Sequence, residues 1–329
     1  MPAHDPSYLV RRAVLAGAER LPEGSLVLLG VSGGADSLAL AVAVSSCGAP
    51  GVRFGAVIVD HGLQEGSQAM AARAAGECRR LGLDPVVEVH VHVPMGPGTG
   101  GLEQAARLVR RSALLDAAEA HGAAAIWLAH TADDQAETVL LGLLRGSGPR
   151  SLAGMRPVDG MWHRPLLGLR RSVVRASLAA AGIEAFEDPH NADERFSRVR
   201  VRHSVLPVLE RELGGHVSEQ LVRGAELFRD DTDALDAMAE DAWQHMSASA
   251  GAGRLPVDDV RALPRALRTR VVRLALIDAG CPSPEKDHID AVEHLILEAR
   301  ARGPVRVPGG LQVARDRVAR LLVIEPLTR

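Results

Sequence analysis

The sequence predicts an α/β protein: a doubly wound, mainly parallel sheet followed by a small, mainly helical domain. Three observations carry this prediction. β-rich apolar runs alternate with helix-length stretches through the first half of the 329-residue chain. A glycine loop, Ser32-Gly33-Gly34-Ala35-Asp36-Ser37, stands where the first strand should give way to the first helix. The tail loses the alternation and reads as helices closed by short strand-like runs around Pro308-Gly309-Gly310.

The elements follow in order. Leu26–Val31 is a strand and Ser37–Ser46 a helix. Phe54–Asp60 is a second strand, and Gln68–Leu81 a helix opened by Ser67 and closed by Gly82. Val86–Val93 alternates at strand period, with His90 and His92 on one face. A helix over Leu102–Ala120, a strand over Ala124–Leu128 and a helix from Asp133 to Leu144 complete the alternating part. This order implies parallel strands with helices on both faces and a ligand site beyond the carboxyl ends of the strands. The Ser32–Ser37 loop, Asp60-His61 and His130 all fall there. A long connection, Gly146 to Gly168, is of the kind that often carries function. Helical patterns over Leu206–Ala242, Leu263–Ala279 and Lys286–Ala299 follow, with Ser247–Gly253 as a small-residue linker. Val305–Val307 and Val318–Ile324 are the closing strand-like runs. The domain boundary is expected near residue 220, giving domains 1–220 and 221–329.

Composition narrows the function classes. No charge-free apolar run reaches a membrane-spanning length, and the N-terminus MPAHDPSYLVRR lacks a signal-peptide core, so a cytoplasmic protein is expected. Cys47, Cys78 and Cys281 are far apart and form no CxxC pair, which argues against a zinc site, a disulfide framework or a dithiol redox centre. Aromatic residues make up only 2%, too few for a platform stacking several single-stranded bases. Net charge is −3, but Arg145–Arg202 alone carries +5, leaving −8 for the rest. That basic band is either a polyanion footprint or a solvated face with local ion pairs.

The Ser32–Ser37 loop is a phosphate cradle in this reading. Adjacent glycines let the backbone approach an anion, and loop amides plus a helix N-terminus supply donors. Hydroxyls flank it, and Asp36 can ligate magnesium. It is not the Walker type, which needs a Lys after its last Gly, because Lys286 is the only lysine in the chain. The plain alternative is a strand–helix turn with two glycines. A second constellation, Ala129-His130-Thr131-Ala132-Asp133-Asp134-Gln135-Ala136-Glu137, lies where a buried strand meets a helix. Asp134 and Glu137 share a helix face. With His130 they can hold magnesium, position a cationic amine or move a proton. An N-terminal capping cluster would explain one acidic residue, but not the His and the Glu as well.

SGGADS followed by LAHTADDQAETVLLGLLRGSG resembles the PP-loop ATP pyrophosphatase family, and within it the tRNA(Ile)-lysidine synthetases. Further matching pieces are VDHGLQEGS (Val59–Ser67), GLEQAARLVRR (Gly101–Arg111), RPLLGLRR (Arg164–Arg171) and EDPHNADERFSRVRVRHSVLPVLE (Glu187–Glu210). They occur in family order over residues 26–210, and the tail resembles that family's substrate-binding domain more weakly.

The resemblance implies ATP and magnesium as cofactors, and free L-lysine and an isoleucine tRNA with a CAU anticodon as substrates. The wobble cytidine would be adenylylated at its carbon-2 oxygen, and the lysine ε-amine would then displace AMP, switching codon reading from AUG to AUA. It implies ATP binding by Ser32, Gly33, Gly34, Ala35, Asp36, Ser37, Asp60 and His61, with Asp36 on magnesium. Asp134 and Glu137 would bind and help deprotonate the lysine amine, and His130 would assist near the phosphates. Arg107 and Arg110 look like the arginines that contact the α-phosphate or the intermediate, an ordinary exposed helix face being the alternative for both and above all for Arg107. Arg195, Arg198, Arg200 and Arg202 would meet tRNA phosphates, although Val199 stands where related enzymes often have Asn. No membrane is implied, and a homodimer is among the assemblies allowed. Longer members carry a further C-terminal domain that grips the acceptor stem; without it, the two domains seen here are expected to select the tRNA.

Three alternatives stand beside this reading: a tRNA thiolase, which needs well-placed cysteines; an ammonia-dependent amidating synthetase of the same fold; and a non-catalytic nucleotide-binding regulator, which would not need Asp36, Asp134 and Glu137.

Overall fold

The computed structural model describes residues 5–62, 66–94, 102–146, 148–185, 195–298, 300–301 and 303–327. The stretch Glu187–Glu194 of the last matching segment lies outside them. The chain divides into two compact units, Met1–Leu227 and Phe228–Arg329.

In the first unit, α1 (Pro6–Ala18), β1 (Leu26–Val31), α2 (Ala35–Cys47), β2 (Arg53–Asp60), α3 (Ser67–Arg80), β3 (Val86–His90), α4 (Leu102–Ala120), β4 (Ala125–Trp127) and α5 (Ala132–Leu144) follow one another. Then come α6 (Pro149–Leu152), β5 (Val158–Asp159), β6 (Trp162–His163), α7 (Arg171–Ala180), α8 (Ser197–Arg200), a π-turn over Val201–Val205 and α9 (Leu206–Leu213). The long α10 (Val217–Ala250) begins here. The sheet has the order β3-β2-β1-β4-β6-β5, parallel except for the short β5. Leu28 of β1 is paired with Gly55 on one side and Ile126 on the other. Every residue of β1 is buried, as expected of a central strand covered on both faces. One face packs Val27, Leu29 and Val31 against Val10 and Val14 of α1, Leu40 of α2 and Val174 of α7. The other packs Leu26 and Leu28 against Leu114 and Ala118 of α4. The doubly wound parallel sheet read from the alternation is present.

Several local expectations change. Helix α1 has a readable start, with Asp5 accepting from the Ser7 amide and Pro6 in the first turn, and it buries Val10, Val14 and Ala18 at four-residue spacing. The cap of α3 is Gly66, in the left-handed region, and Ser67 is the first helical residue. The long connection contains α6 and two strands of two residues each, too short to show a period. α7 is likewise an addition. The helical stretch from Leu206 is broken at Gly214, and α10 then runs to Ala250, through the start of the expected linker.

The second unit is more than helical. α11 (Val257–Ala262), α12 (Arg265–Asp278) and α13 (Lys286–Leu297) pack with a four-stranded antiparallel sheet. That sheet runs β7 (Arg254–Pro256), β10 (Leu321–Pro326), β9 (Leu311–Asp316), β8 (Val305–Val307). Leu255, Val271, Leu276, Ile296, Val313 and Leu322 meet in its core. The last strand starts at Leu321 rather than Val318, which sits almost wholly exposed in the turn. Among the described residues no helix is long and apolar enough to cross a membrane.

Candidate active site

The glycine loop closes on itself before it meets a ligand. Ser37 Oγ donates to the Gly34 carbonyl at 2.9 Å and accepts from the Ser32 amide at 3.2 Å. Gly33 takes a φ of +79°, a left-handed conformation that a side chain would strain. Gly34 caps α2 without a side-chain bond, so first-turn amides of that helix have no side-chain cap. Asp36, in that first turn, has its Oδ2 3.3 Å from Arg171 Nε, while its Oδ1 is buried without a partner. Burial raises the Asp36 carboxyl above its ordinary range; Arg171 opposes this and Asp134 reinforces it.

At the start of α5, Thr131 and Asp134 form a capping box. The Thr131 amide and hydroxyl both donate to Asp134 Oδ2 at 2.8 Å. The other oxygen, Oδ1, faces guanidinium groups: Arg171 at 2.7 Å and Arg202 at 3.1 Å. Glu137, one turn on and only 1% exposed, receives Arg202 at 2.7 Å, Arg198 at 2.8 Å and Arg171 at 3.3 Å. Two buried carboxylates are thus held by three arginines. Burial alone would push the Asp134 carboxyl up, but Arg171, Arg198 and the Thr131 amide hold it down at about 2. Asp133 accepts from the Arg171 amide at 2.7 Å and so satisfies a donor at the N-terminus of α7. Gln135 exchanges two hydrogen bonds with the backbone of Met155, tying the long connection to α5.

Between the loop and α5 lies a cavity of ≈ 400 Å³ lined by Ser32, Asp36, Ser37, His61, Arg107, Arg110, Arg111, His130, Asp134, Trp162 and Arg164. Four buried polar atoms from four of these residues lack partners: Asp36 Oδ1, His61 Nδ1, His130 Nδ1 and Arg164 Nε. Burial pushes the His130 imidazole down to about 3, with Asp134 opposing and Arg198, Arg164 and Arg110 adding to the effect. The His61 imidazole is lowered by burial and by Arg110. Arg110 is itself lowered by burial and by Arg107. Neither Arg110 nor Arg164 has a carboxylate in ion-pair contact among the described residues. A cavity with this excess of positive charge is complementary to a polyanion.

Of the residues expected in the site, Ser32, Asp36, Ser37, His61, Arg110, His130 and Asp134 converge on this cavity. Glu137, almost fully buried, does not line it. Gly33, Gly34 and Ala35 shape the loop, and Gly33 faces a different cleft. Asp60 is engaged elsewhere, accepting from the Gly62 amide at 3.0 Å and facing His90 Nδ1 at 3.1 Å. Although burial opposes it, those contacts and the Ser67 hydroxyl keep the Asp60 carboxyl below its usual range. The four arginines of the basic segment separate. Arg198 and Arg202 turn inward onto Glu137, whereas Arg200 is exposed and bonds the Arg195 carbonyl and the Ser197 hydroxyl. Of the four arginines expected to meet tRNA phosphates, Arg198 and Arg202 are thus engaged by buried carboxylates, while Arg195 and Arg200 are exposed. Arg171 and Arg164 were missed as site residues, although both lie in the RPLLGLRR segment. Arg111, stacked 4.3 Å over Trp162, was missed too.

A magnesium ion fits one part of this arrangement. Asp36 Oδ1 is a buried carboxylate oxygen without a partner, in a residue that lines the same cavity as Ser32 and Ser37, and magnesium commonly takes one or two carboxylates with substrate phosphates. No three His, Cys, Asp or Glu side chains among the described residues could hold a metal by themselves.

A glycine cradle at the end of β1, facing cationic side chains across the carboxyl edge of a parallel sheet, defines a nucleotide-binding protein of the PP-loop class, and residues 11–209 match the family model for the PP-loop domain. Residues 255–319 match the TilS substrate binding domain. A tRNA(Ile)-lysidine synthase from Leifsonia xyli subsp. xyli is 50% identical over 292 residues, 88% of this chain and 87% of that one. Another from Thermobifida fusca is 49% identical over 309 residues, 92% of this chain and 93% of its own. The chain belongs to the tRNA(Ile)-lysidine synthase family. Among solved structures, the U34-tRNA thiolase NcsA from Methanococcus maripaludis, with its 4Fe-4S cluster, shares the fold. Its TM-score is 0.55 at 19% identity, covering 68% of this chain and 80% of that one. Burial raises the Cys47 thiol and pushes that of Cys78 up to about 12, so neither is a ready thiolate.

Proposed function

We infer that this chain forms lysidine in an isoleucine tRNA at the expense of ATP. One observation carries the reading. Asp134 lines the polyanion-complementary cavity and, with Glu137, forms a buried acidic pair, so an anion site and an amine site share a wall.

In this reading the triphosphate sits over the Ser32–Ser37 amides and hydroxyls, which hold the departing pyrophosphate. Asp36 would hold magnesium, which when bound neutralises charge on the phosphate oxygens. The carbon-2 oxygen of the wobble cytidine in the CAU anticodon attacks the α-phosphate, and Arg110 steadies the charge that develops there. The lysine ε-ammonium then docks on Asp134 and Glu137, taking over oxygens now shared by three guanidinium groups. Asp134, held near 2, stays ionised and acts as a fixed negative charge. With Glu137 beside it, the acidic pair binds the ammonium and helps take its proton, and the amine then attacks carbon-2 of the cytidine and displaces AMP. Arg195 and Arg200 supply salt-sensitive contacts to tRNA phosphates. Residues 1–220 would form the catalytic domain and 221–329 the tRNA-binding one, in a protein working in the cytoplasm.

The test is incubation with ATP, magnesium, radiolabelled lysine and an isoleucine tRNA transcript bearing a CAU anticodon. Label should enter the tRNA with one AMP released per lysidine. Unlabelled tRNA, or AMP release indifferent to tRNA and lysine, would refute the reading.

A further inference from the structure

We propose that Arg164 binds a phosphate of the nucleotide in this cavity, which is the counter-charge its buried guanidinium lacks among the described residues; this rests on the reading that the cavity takes ATP. Arg164 follows β6 directly, so the sheet delivers it to the same carboxyl edge as the glycine loop and His130. It is only 5% exposed. Its Nη1 donates to the Arg156 carbonyl at 2.7 Å, and its Nε is buried without a partner. Asp159 lends a favourable field from outside ion-pair range, while Arg111 and Arg107 add unfavourable ones, and burial with these neighbours lowers its affinity for the proton.

A comparison within the chain shows how unusual this is. In the second unit Arg268 is similarly buried, but its guanidinium meets Glu293 at 2.8 Å. Arg171, Arg198 and Arg202 likewise sit on carboxylates. A buried cation without a counter-ion is costly, and the cost is offset when an anion enters. The planar guanidinium fork suits a phosphate. The bond to Arg156 alone would tie down the long connection, but a neutral donor could make it with no charge to bury.

The test compares R164Q and R164K with the wild-type protein in ATP-dependent lysidine formation and in thermal unfolding without nucleotide. The KM for ATP should rise about tenfold to a hundredfold in R164Q and less in R164K, as for loss of a charge-assisted bond. KM values for tRNA and lysine should stay within about twofold. Because an uncompensated charge is removed, the nucleotide-free melting temperature of R164Q should be unchanged or higher. A KM for ATP within about twofold of wild type in both variants would overturn the assignment. So would a drop in melting temperature accompanied by lower kcat at unchanged KM, the signature of a purely structural tie. A wild-type protein that neither turns over nor is stabilised by ATP would overturn the cavity reading itself and this assignment with it.

Discussion

Arg171 Nε lies 3.3 Å from Asp36 Oδ2, although 135 positions separate the two residues in the chain. The same guanidinium reaches Asp134 at 2.7 Å and Glu137 at 3.3 Å. One side chain at the start of α7 therefore joins the phosphate-binding loop to the acidic pair. In the proposed reaction that one cation would hold the site that opens ATP in register with the site that captures the amine.

Replacing Arg171 with Met should leave three carboxylates short of a partner. Loss of one partner from a buried ionic cluster costs about 3–5 kcal/mol, less where other cations remain, so about 2–3 kcal/mol is expected here. Urea denaturation measures it, and a stability equal to wild type would show that Arg198 and Arg202 suffice.

Asp36→Ala should fold normally, because a carboxyl whose proton affinity is raised by burial contributes no net stability through its charge at neutral pH. AMP formation should fall by at least about a hundredfold, the scale for losing a group that stabilises transferring phosphate. Wild-type-like turnover in a folded variant would remove Asp36 from the magnesium role.

Glu137→Gln should separate the two steps. Adenylylation should continue while lysine transfer slows, so adenylylated tRNA should accumulate and be visible on acid gels. Losing a charged acceptor from Arg198 and Arg202 should also cost about 1–3 kcal/mol of stability. Equal slowing of both steps would contradict a role specific to the amine.

Acid should weaken the fold in two windows. His130 titrates near 3 in the folded chain against an ordinary 6.5, so the unfolded chain takes up the proton first as pH falls. Its penalty is absent above about 6.5 and grows as pH falls toward 3; His61 and His163, also lowered, act in the same direction. Asp134 stabilises above its ordinary 3.8, and that contribution is lost as pH falls through about 2. His130→Gln should lower the proton uptake linked to unfolding, between about pH 6 and pH 4, by about one proton. An unchanged slope of stability against pH would show that His130 is protonated in the folded chain.

Gly154→Ala should destabilise the connection after α5. Gly154 has a φ of +63°, and a Cβ there would come 2.7 Å from Gln135 Oε1. Strain of this kind costs about 1–3 kcal/mol. A melting temperature within error of wild type would show that the Gln135–Met155 bonds shift to make room.

Much of the site was legible because its parts are short-range. Ser32–Ser37 is a strand–turn–helix motif whose glycines and hydroxyls sit within six residues, and Thr131, Asp134 and Glu137 lie within the N-cap and first two turns of α5. The small strands β5 and β6 were not legible, since two residues show no period. The second unit's antiparallel sheet was read only in part, because its Arg254–Pro256 strand is short and is joined to the others only by pairing.

By itself, the sequence determined the parallel sheet, the phosphate-binding loop at the end of β1 and the acidic helix start at the end of β4. Those follow from local periodicity and turn chemistry. Tertiary structure alone decided which arginines serve which charge. Arg198 and Arg202 sit two turns or less from Arg195 and Arg200 in a basic segment, and nothing local distinguishes them. Burial of Asp134 and Glu137 does, because carboxylates withdrawn from water need cations and draw in those whose side chains reach them. By the same logic Arg164, buried with no carboxylate in ion-pair contact among the described residues, is the side chain proposed to be neutralised by a nucleotide phosphate.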